Sequence, residues 1–297
     1  MGALNTNAWH CRNGDCQADE FENASNCPED CADKGTTVMA YYTQGMVCEP
    51  TTIHEPDTVS ELQQTIRTIV SSGKRVKPAG SSHSATSIIC GDGDAEVVRS
   101  KNLKDIGPIE PFESHSATVE FEAGVEMDEL GEHLHQQGYA WGLAATGYGG
   151  ISIGGAVATG AHGSSRNGSA TISNYVVGLD VIGADGDLTT YTEASTGQSD
   201  PNLWKALKAN LGLLGYVARI RLKLEPQFRM NVQVLTMDEA TFVADGGVEA
   251  AVGQCDYVFL SWYPVMIWCT TFAVIAPPTR SPAQPPKTVY SHRTSVV

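Results

Sequence analysis

Residues 78–84, PAGSSHS, place five small residues and one imidazole in a single short run. Between a predicted strand and the next element, such a run leaves several backbone N–H groups unpaired. Successive free N–H groups form a concave site that suits a pyrophosphate. His83 lies within the run, so its ring would face whatever the loop holds. An ordinary Ser/Gly turn with an incidental histidine is the alternative interpretation.

A second stretch, residues 146–165 (TGYGGISIGGAVATGAHGSS), carries seven glycines among Ala, Ile and Val. This composition indicates backbone that packs closely against a flat or anionic group. The stretch lacks the Gly-x-Gly-x-x-Gly spacing of a Rossmann dinucleotide site, so an NAD site of that kind is not favoured. The chain has no Walker A sequence either.

The pentapeptide GISIG, residues 150–154, matches the Gly-x-Ser-x-Gly pattern of serine hydrolases. The catalytic residues of that alternative would be Ser152 as nucleophile, Asp180 or Asp185 as acid, and His292 as base. The pattern requires a strand before the serine and an uninterrupted helix after it. We expect Gly155, Gly160 and Gly163 to break that helix, which makes the hydrolase the less favoured class.

The elements around these stretches are mixed and include a β-α-β unit, further strands and a hairpin. Thr58 and Glu61 have the spacing of a capping box at the start of a helix that Gly73 would end. Asp185-Gly186 predicts a hairpin turn between strands over residues 176–182 and 188–192. Alternating apolar residues from Ala218 to Leu224 predict a half-exposed strand.

A further helix is predicted to begin at Asp200-Pro201, where a capping side chain precedes a proline suited to the first turn. We expect its apolar face to contain Leu203, Leu207 and Leu211.

The chain has 297 residues and a net charge of −15, with only 19 Lys and Arg. This balance argues against an extended nucleic-acid interface, which needs clustered basic residues. One uncharged run, residues 257–279, is long enough to span a membrane. Its Pro264 and its β-branched and aromatic residues favour two buried strands broken at Tyr263-Pro264 instead. Membrane association is therefore an unsupported alternative.

Four of the eight cysteines fall within residues 11–31, namely Cys11, Cys16, Cys27 and Cys31. Their density predicts a small module over residues 1–40 closed by two disulfides, with a zinc site or a calcium-binding acidic loop as alternatives. A disulfide module favours secretion or the lumen of the secretory pathway, but the first ten residues lack the apolar core of a signal peptide. A membrane-associated or cytoplasmic location stays open.

Three segments in order, RVKPAGSSHSATSIICGDG, IGGAVATGAHGSS and VVGLDVIGADGDLTTY with LWKALKANLGLLGYVARIRLKLEPQF, resemble one known domain. They are similar to the PCMH-type FAD-binding domain of the vanillyl-alcohol oxidase superfamily, and within it to L-gulonolactone and D-arabinono-1,4-lactone oxidases. The resemblance implies an α+β fold in which the FAD-binding domain, residues 46–226, consists of two α/β subdomains. Residues 227–297 would begin a substrate domain, which is incomplete because the His-Trp-x-Lys signature of these oxidases does not occur.

The resemblance also implies which residues contact FAD. The pyrophosphate loop would comprise Pro78, Ala79, Gly80, Ser81, Ser82, His83 and Ser84, and His83 would be the candidate for a covalent bond to the flavin. The second flavin-contacting stretch would contribute Gly147, Ile153, Gly154, Gly155, Thr159, Gly160, His162 and Gly163. The backbone of Val177 would meet the adenine. No catalytic residue and no metal ligand is assigned.

The implied reaction is oxidation of an alcohol carbon in a sugar lactone or polyol, with hydride transfer to flavin N5 and reoxidation by O₂ or another acceptor. A catalytically inactive FAD-binding fragment joined to an extracellular module is the alternative within the same family.

Overall fold

The computed structural model describes residues 39–40, 47–48, 52–84, 86–89, 94–113, 116–141, 150–164, 170–228, 231–253, 257–263 and 268–275. The cysteine cluster at residues 11–31, Gly147 and His292 lie outside these ranges, so the structure does not test the predictions made for them.

The described chain alternates strands with short helices. The helices are α1 (Val59–Ser71), α2 (Met127–Gln136), α3 (Ile153–Ala158), α4 (Thr196–Ser199), α5 (Pro201–Leu207), α6 (Glu239–Val243) and α7 (Gly247–Val252). The first strands are β1 (Met39–Ala40), β2 (Val47–Cys48), β3 (Ile53–His54), β4 (Arg75–Ala79), β5 (Ala95–Arg99), β6 (Ile106–Phe112) and β7 (Ser116–Glu122). The later strands are β8 (Tyr139–Ala140), β9 (Val176–Ile182), β10 (Leu188–Thr192), β11 (Tyr216–Pro226), β12 (Asn231–Asp238), β13 (Tyr257–Tyr263) and β14 (Trp268–Ile275).

The first subdomain is a parallel sheet of order β3-β5-β4, with α1 connecting β3 to β4. Thr58 caps α1 by accepting a hydrogen bond from the N–H of Glu61 at 3.1 Å, as its spacing predicts. The Glu61 carboxylate accepts from the N–H of Asp57 at 2.9 Å, one residue before the cap. Gly73, at φ 81°, follows the last turn and lets the chain reverse into β4.

The second subdomain is an antiparallel sheet of order β10-β9-β11-β7-β6, and β8 pairs with the far end of β11. The predicted hairpin is confirmed, because Leu188 pairs with Ile182 across the Asp185-Gly186 turn. Alternate residues of β11 are buried, as its sequence pattern predicts. Its inward face joins α2, α3 and α5 in one apolar core.

Helix α1 joins the two subdomains. Its buried face, formed by Val59, Leu62, Ile66 and Ile69, packs in one cluster with β5, β9 and β11. Burial of each such side chain contributes roughly 1.5–3 kcal/mol. The two sheets are therefore held at a fixed seam, and β4 and β11 both reach that seam.

Helix α5 begins at Pro201, where the Asp200 carboxylate accepts from the N–H of Leu203 at 3.0 Å. The prediction that Leu211 belongs to its apolar face is wrong. The helix ends at Leu207, and Leu211 lies in the following turn at φ 51° with 45% of its surface exposed. Gly212 and Gly215, which follow Leu211 at positive φ, favour chain reversal over a further helical turn.

Residues 257–263 and 268–275 form two antiparallel strands, β13 and β14, in agreement with the strand prediction, and β12 completes a separate three-stranded sheet of order β12-β14-β13. None of the helices within the described ranges has the length and apolar character needed to cross a membrane. The α+β prediction is confirmed.

Candidate functional site

The loop that follows β4 is fastened to the start of α3. The N–H of Ser81 donates to Oγ of Ser152 at 3.2 Å, and the N–H of Ser152 donates to Oγ of Ser81 at 3.1 Å. A Cβ on Gly80 would lie 2.0 Å from the same Ser152 Oγ. Any side chain at residue 80 would therefore clash with the serine pair. The hydrogen bonds between Ser81 and Ser152 bring the two predicted glycine-rich stretches together.

Ser152 does not have the geometry of a hydrolase nucleophile. It is 3% exposed, its hydroxyl accepts from Ser81, and its backbone is extended at φ −65° and ψ 134°. A nucleophile elbow needs a strained backbone that presents the hydroxyl to substrate. Asp180 is engaged elsewhere, accepting from Thr190 Oγ1 at 2.7 Å. The hydrolase alternative therefore has no support.

A short helix does form after Ser152, so the expectation that the glycines would break it is wrong for Gly155, but the helix ends before Gly160, which is at φ 68°. Helix α3 runs through Gly154 and Gly155 and ends at Ala158. A Cβ on Gly154 would lie 2.6 Å from Cβ of Ala123 and 2.7 Å from its carbonyl oxygen. Only a glycine at position 154 lets α3 pack this closely on the chain after β7. Gly154 is therefore needed for packing of α3 against the protein itself.

An apolar cavity lies at the seam between the subdomains, with a volume of about 80 Å³. It is bounded by the end of β4, by α3 and by the chain from Asn210 into β11. Tyr216 lies on its wall and donates its hydroxyl to the carbonyl oxygen of Val98 at 3.4 Å. Complete burial raises the pKa of Tyr216 far above its usual value, so the phenol stays neutral.

A polar cavity of about 210 Å³ lies beside it, and Gly80 and Ser100 line both. His83 lines the polar cavity, as do Arg99, Lys101 and Glu126. A Cβ on Gly150 would lie 3.8 Å from Cε1 of His83 and 3.7 Å from Oε2 of Glu126. The imidazole and this carboxylate therefore converge on one small space.

The charges around the polar cavity are partly paired. Arg99 Nη1 donates to Glu55 at 2.9 Å, and Lys101 lies 3.5 Å from the other oxygen of the same carboxylate. Arg99 Nε is buried and has no hydrogen-bond partner among the described residues. Two cations thus share one anion, and the wall that they form is positive.

Glu126 is held by a neighbouring lysine. Lys104 Nζ donates to Glu126 at 3.0 Å and to Glu129 at 2.7 Å. Burial opposes the charge of Lys104, but the hydrogen bonds to Glu129 and Glu126 outweigh it and raise the pKa of the lysine. Lys104 therefore stays charged and restrains Glu126 at the edge of the polar cavity.

The predicted contact residues fall into three groups. Those that line a cavity are Pro78, Ala79, Gly80, Gly154, Gly155 and Thr159 for the apolar cavity, and Gly80, Ser81 and His83 for the polar one. Those that line neither are Ser82, Ser84, Ile153, Gly160, His162, Gly163 and Val177. Gly147 lies outside the described residues.

Several of the second group have other contacts. Ile153 is fully buried in the main core. The carbonyl oxygen of Val177 accepts from the N–H of Glu193 at 3.0 Å, and β11 contributes Val217 to the apolar cavity instead. His162 is exposed and its Nδ1 lies 3.2 Å from the carbonyl oxygen of Gly163.

Sequence reasoning missed the walls contributed by distant segments. These residues are Ile88, Ile89, Arg99, Ser100, Lys101, Ala123, Gly124, Glu126, Gly150, Ala158, Asn210, Leu211, Gly212, Gly215, Tyr216 and Val217. A signal existed for Gly212 and Gly215, because the NLGLLG run 210–215 places two glycines in a turn before a strand. Ser152, which the sequence pattern assigned only to the hydrolase alternative, also lines the polar cavity.

The fit of an anionic cofactor can be judged from the loop itself. Ser82 is one of three non-glycine residues with positive φ in the described chain, at 59°. Its buried Oγ has no hydrogen-bond partner among the described residues. Strained backbone and an unsatisfied hydroxyl persist where function requires them. Ser82 lines neither cavity itself but lies between Ser81 and His83, which line the polar one, and its unpartnered hydroxyl suits a phosphate oxygen.

Comparison with known proteins agrees with this geometry. Residues 50–192 match the family described as FAD binding domain. The L-gulonolactone oxidase of Scyliorhinus torazame is 28% identical over 222 residues, which cover 73% of this chain and 46% of that protein. The D-arabinono-1,4-lactone oxidase of Kluyveromyces lactis is 24% identical over 232 residues, covering 74% and 41%. The chain thus spans less than half the length of these relatives.

The fold also matches solved structures. Cholesterol oxidase from B. sterolicum superposes with a TM-score of 0.68 at 21% identity, covering 82% of this chain and 48% of that chain. A solvent-stable cholesterol oxidase gives a TM-score of 0.68 at 18% identity, covering 83% and 49%. At such identity the likeness concerns the fold, which is that of a PCMH-type FAD-binding domain.

Proposed function

We propose that this chain, which carries an FAD binding domain over residues 50–192, is an FAD-dependent oxidoreductase that acts on a CH–OH group of a sugar lactone or related polyol. The observation that carries the proposal is the pair of adjoining cavities, one apolar and one polar, that share Gly80 and Ser100 at the seam between the subdomains. An elongated cofactor with chemically distinct ends fits a site with two distinct compartments. Bound FAD would supply the two-electron acceptor for an alcohol carbon.

The phosphate groups of the cofactor would lie near the loop after β4. Ser82 has a buried hydroxyl and Arg99 a buried Nε, and neither atom has a hydrogen-bond partner among the described residues. Lys101 adds a second positive charge at the polar cavity. Charge-assisted hydrogen bonds of this kind are stronger than neutral ones and favour a pyrophosphate over a neutral ligand.

His83 is the residue we propose to bear a covalent bond to the flavin. Its ring lines the polar cavity beside Glu126 and Gly150. Neutral imidazole is a good nucleophile. Its bond to the methyl carbon of the flavin would replace a C–H bond, with the proton released and the two electrons passing through the flavin to O₂ or another acceptor. The covalent bond would hold the flavin end of the cofactor in the polar cavity. The apolar cavity would then receive the adenylate end.

The cofactor proposal is tested by the visible spectrum of the purified protein before and after acid precipitation. We expect flavin absorbance that stays in the pellet of the wild type and moves to the supernatant in His83→Ala. His133→Ala, on α2 and lining neither cavity, is the matched control and should behave as the wild type does. Flavin released from the wild type would cancel the covalent bond and keep FAD binding. A protein that stays colourless after incubation with FAD would overturn the proposal.

The substrate class is proposed from the relatives, which are an L-gulonolactone oxidase and a D-arabinono-1,4-lactone oxidase. The test is turnover of L-gulono-1,4-lactone and D-arabinono-1,4-lactone, followed both as peroxide formed with O₂ and as reduction of an artificial dye. Peroxide formation would support an oxidase, and dye reduction alone would indicate another acceptor. Bound FAD without turnover by either route would favour the inactive FAD-binding alternative.

A further inference from the structure

Asn210 is a buried polar residue at the apolar cavity that no sequence motif identified. It follows α5 in the turn that leads to β11, it is 4% exposed, and it belongs to the cavity wall. Its Nδ2 is buried and has no hydrogen-bond partner among the described residues. A buried donor without a partner is uncommon in native proteins and requires an explanation.

The orientation of the Asn210 amide is determined by its surroundings. Oδ1 accepts from the N–H of Gly212 at 2.8 Å. The flipped amide would place the NH₂ group against that N–H, donor against donor, and would leave the oxygen without this bond. The NH₂ group is therefore the half of the amide that lacks a hydrogen-bond partner among the described residues, and it belongs to a residue of the cavity wall.

The turn that carries Asn210 is held on two sides of the cavity. The N–H of Leu211 donates to the carbonyl oxygen of Ala158 at the end of α3, at 3.0 Å. A Cβ on Gly212 would lie 3.1 Å from Cδ of Pro78 in β4. Leu211 itself is at φ 51°, a conformation that costs energy for a residue with a Cβ. The strained turn thus holds Asn210 beside both cavity-forming elements.

We propose that Asn210 donates a hydrogen bond from Nδ2 to the adenylate half of FAD. This inference rests on the proposed function. Most of the cavity wall is apolar, with Ile88, Ala123 and Val217 among its residues, which suits the flat adenine ring. Adenine ring nitrogens and ribose oxygens are acceptors and match an NH₂ donor. His83, the candidate for the flavin end, lines the other cavity.

The test is the affinity of the full chain for FAD and for ADP, measured by calorimetry in a His83→Ala background, so that FAD binding is reversible. Asn210→Asp keeps an oxygen acceptor for Gly212 and removes the donor. We expect it to weaken FAD and ADP binding by a similar factor, about tenfold or more. Asn202→Asp, which makes the same change of charge at an exposed position of α5, should leave both affinities unchanged.

Asn210→Ala is the second variant, because it removes the donor without adding a charge. Unchanged FAD affinity in both variants would overturn the role of Asn210 while leaving the proposed function intact. Weaker FAD binding with unchanged ADP binding would also overturn it, since the contact would then lie outside the adenylate. Failure of the background protein to bind FAD or ADP would instead overturn the proposed function, and this inference with it.

Discussion

Ser81 and Ser152 exchange two hydrogen bonds, each backbone N–H donating to the other residue's hydroxyl oxygen, at 3.2 and 3.1 Å. The pair joins the loop after β4 in the first subdomain to the N-terminus of α3 in the second. Gly80, which lines both cavities, lies directly against it. The position of the candidate cofactor loop therefore depends on Ser152, the residue that matches the nucleophile of the hydrolase motif.

Replacement of Ser152 by alanine should destabilise the chain by about 1–2 kcal/mol, because the partly buried N–H of Ser81 loses its acceptor. The free energy of unfolding in urea measures the effect. Ser199→Ala, at an exposed position of α4, is the control and should change stability by less than about 0.5 kcal/mol. Equal effects of the two substitutions would mean that the serine pair contributes nothing.

The same geometry predicts that Ser152 is unreactive toward a fluorophosphonate probe. Ser152 is 3% exposed, and its hydroxyl oxygen accepts a hydrogen bond from the N–H of Ser81. Mass spectrometry of the intact, folded protein after incubation with the probe should show no adduct. An adduct mapped to Ser152 and abolished by Ser152→Ala would restore the hydrolase class.

Gly154 and Gly131 should respond in opposite directions to alanine. A Cβ on Gly154 would meet the backbone and side chain of Ala123 at 2.6–2.7 Å, whereas a Cβ on Gly131, in α2, would meet nothing within 4 Å. Gly154→Ala should cost about 2 kcal/mol or more through overpacking. Gly131→Ala should stabilise the protein by about 0.5–1 kcal/mol, because alanine loses less entropy in a helix. Thermal unfolding of the two variants compares them, and a stable Gly154→Ala variant would contradict the close packing of α3.

The Asp185-Gly186 turn is docked on α1 through Arg67. Arg67 Nε donates to the carbonyl oxygen of Asp185 at 3.2 Å, and a Cβ on Gly186 would lie 2.2 Å from Cγ of Arg67. Gly186→Ala should therefore cost about 2 kcal/mol or more of stability, combining strain at φ 76° with the clash. Gly73→Ala has the same strain at φ 81° without any clash and is the control.

Arg67→Ala in the Gly186→Ala background should recover part of this loss, and a double-mutant cycle in denaturant measures the coupling. Additive effects would show that the turn does not rest on Arg67.

Glu96 should make stability depend on pH. It accepts hydrogen bonds from Lys74 and, at 2.6 Å, from His54, and these hold the pKa of its carboxyl below the ordinary value of 4.5. A carboxyl with a lowered pKa in the folded state contributes stability above its unfolded pKa and loses it as the pH falls through the folded value. Glu96→Gln should thus be less stable than the wild type by about 1–2 kcal/mol at pH 7.

The difference between wild type and Glu96→Gln should shrink as the pH falls below about 4.5, the ordinary carboxyl pKa. Denaturation midpoints at a series of pH values measure it. A difference that stays constant down to pH 3 would mean that the charge of Glu96 is not the cause.

The sequence by itself determined the local elements of this protein. The turn at Asp185-Gly186, the cap at Thr58 and the start of α5 at Asp200 depend on the conformational preferences of a few adjacent residues, and all three lie where the sequence predicts them. The anion-binding role of residues 78–84 stays a prediction from sequence, which rests on the free backbone N–H groups that small residues leave after a strand.

The tertiary structure alone decided which of these residues meet. Ser81 and Ser152 are 71 residues apart in the chain, so their pairing depends on how the two sheets dock on α1. Gly154 is required by Ala123, and Asn210 reaches the apolar cavity because the turn after α5 is bonded to the end of α3. The residues adjacent in the chain determine the backbone conformation of a segment. The free energy of burial, which acts between distant segments, determines which residues from other parts of the chain a side chain contacts, and hence its role.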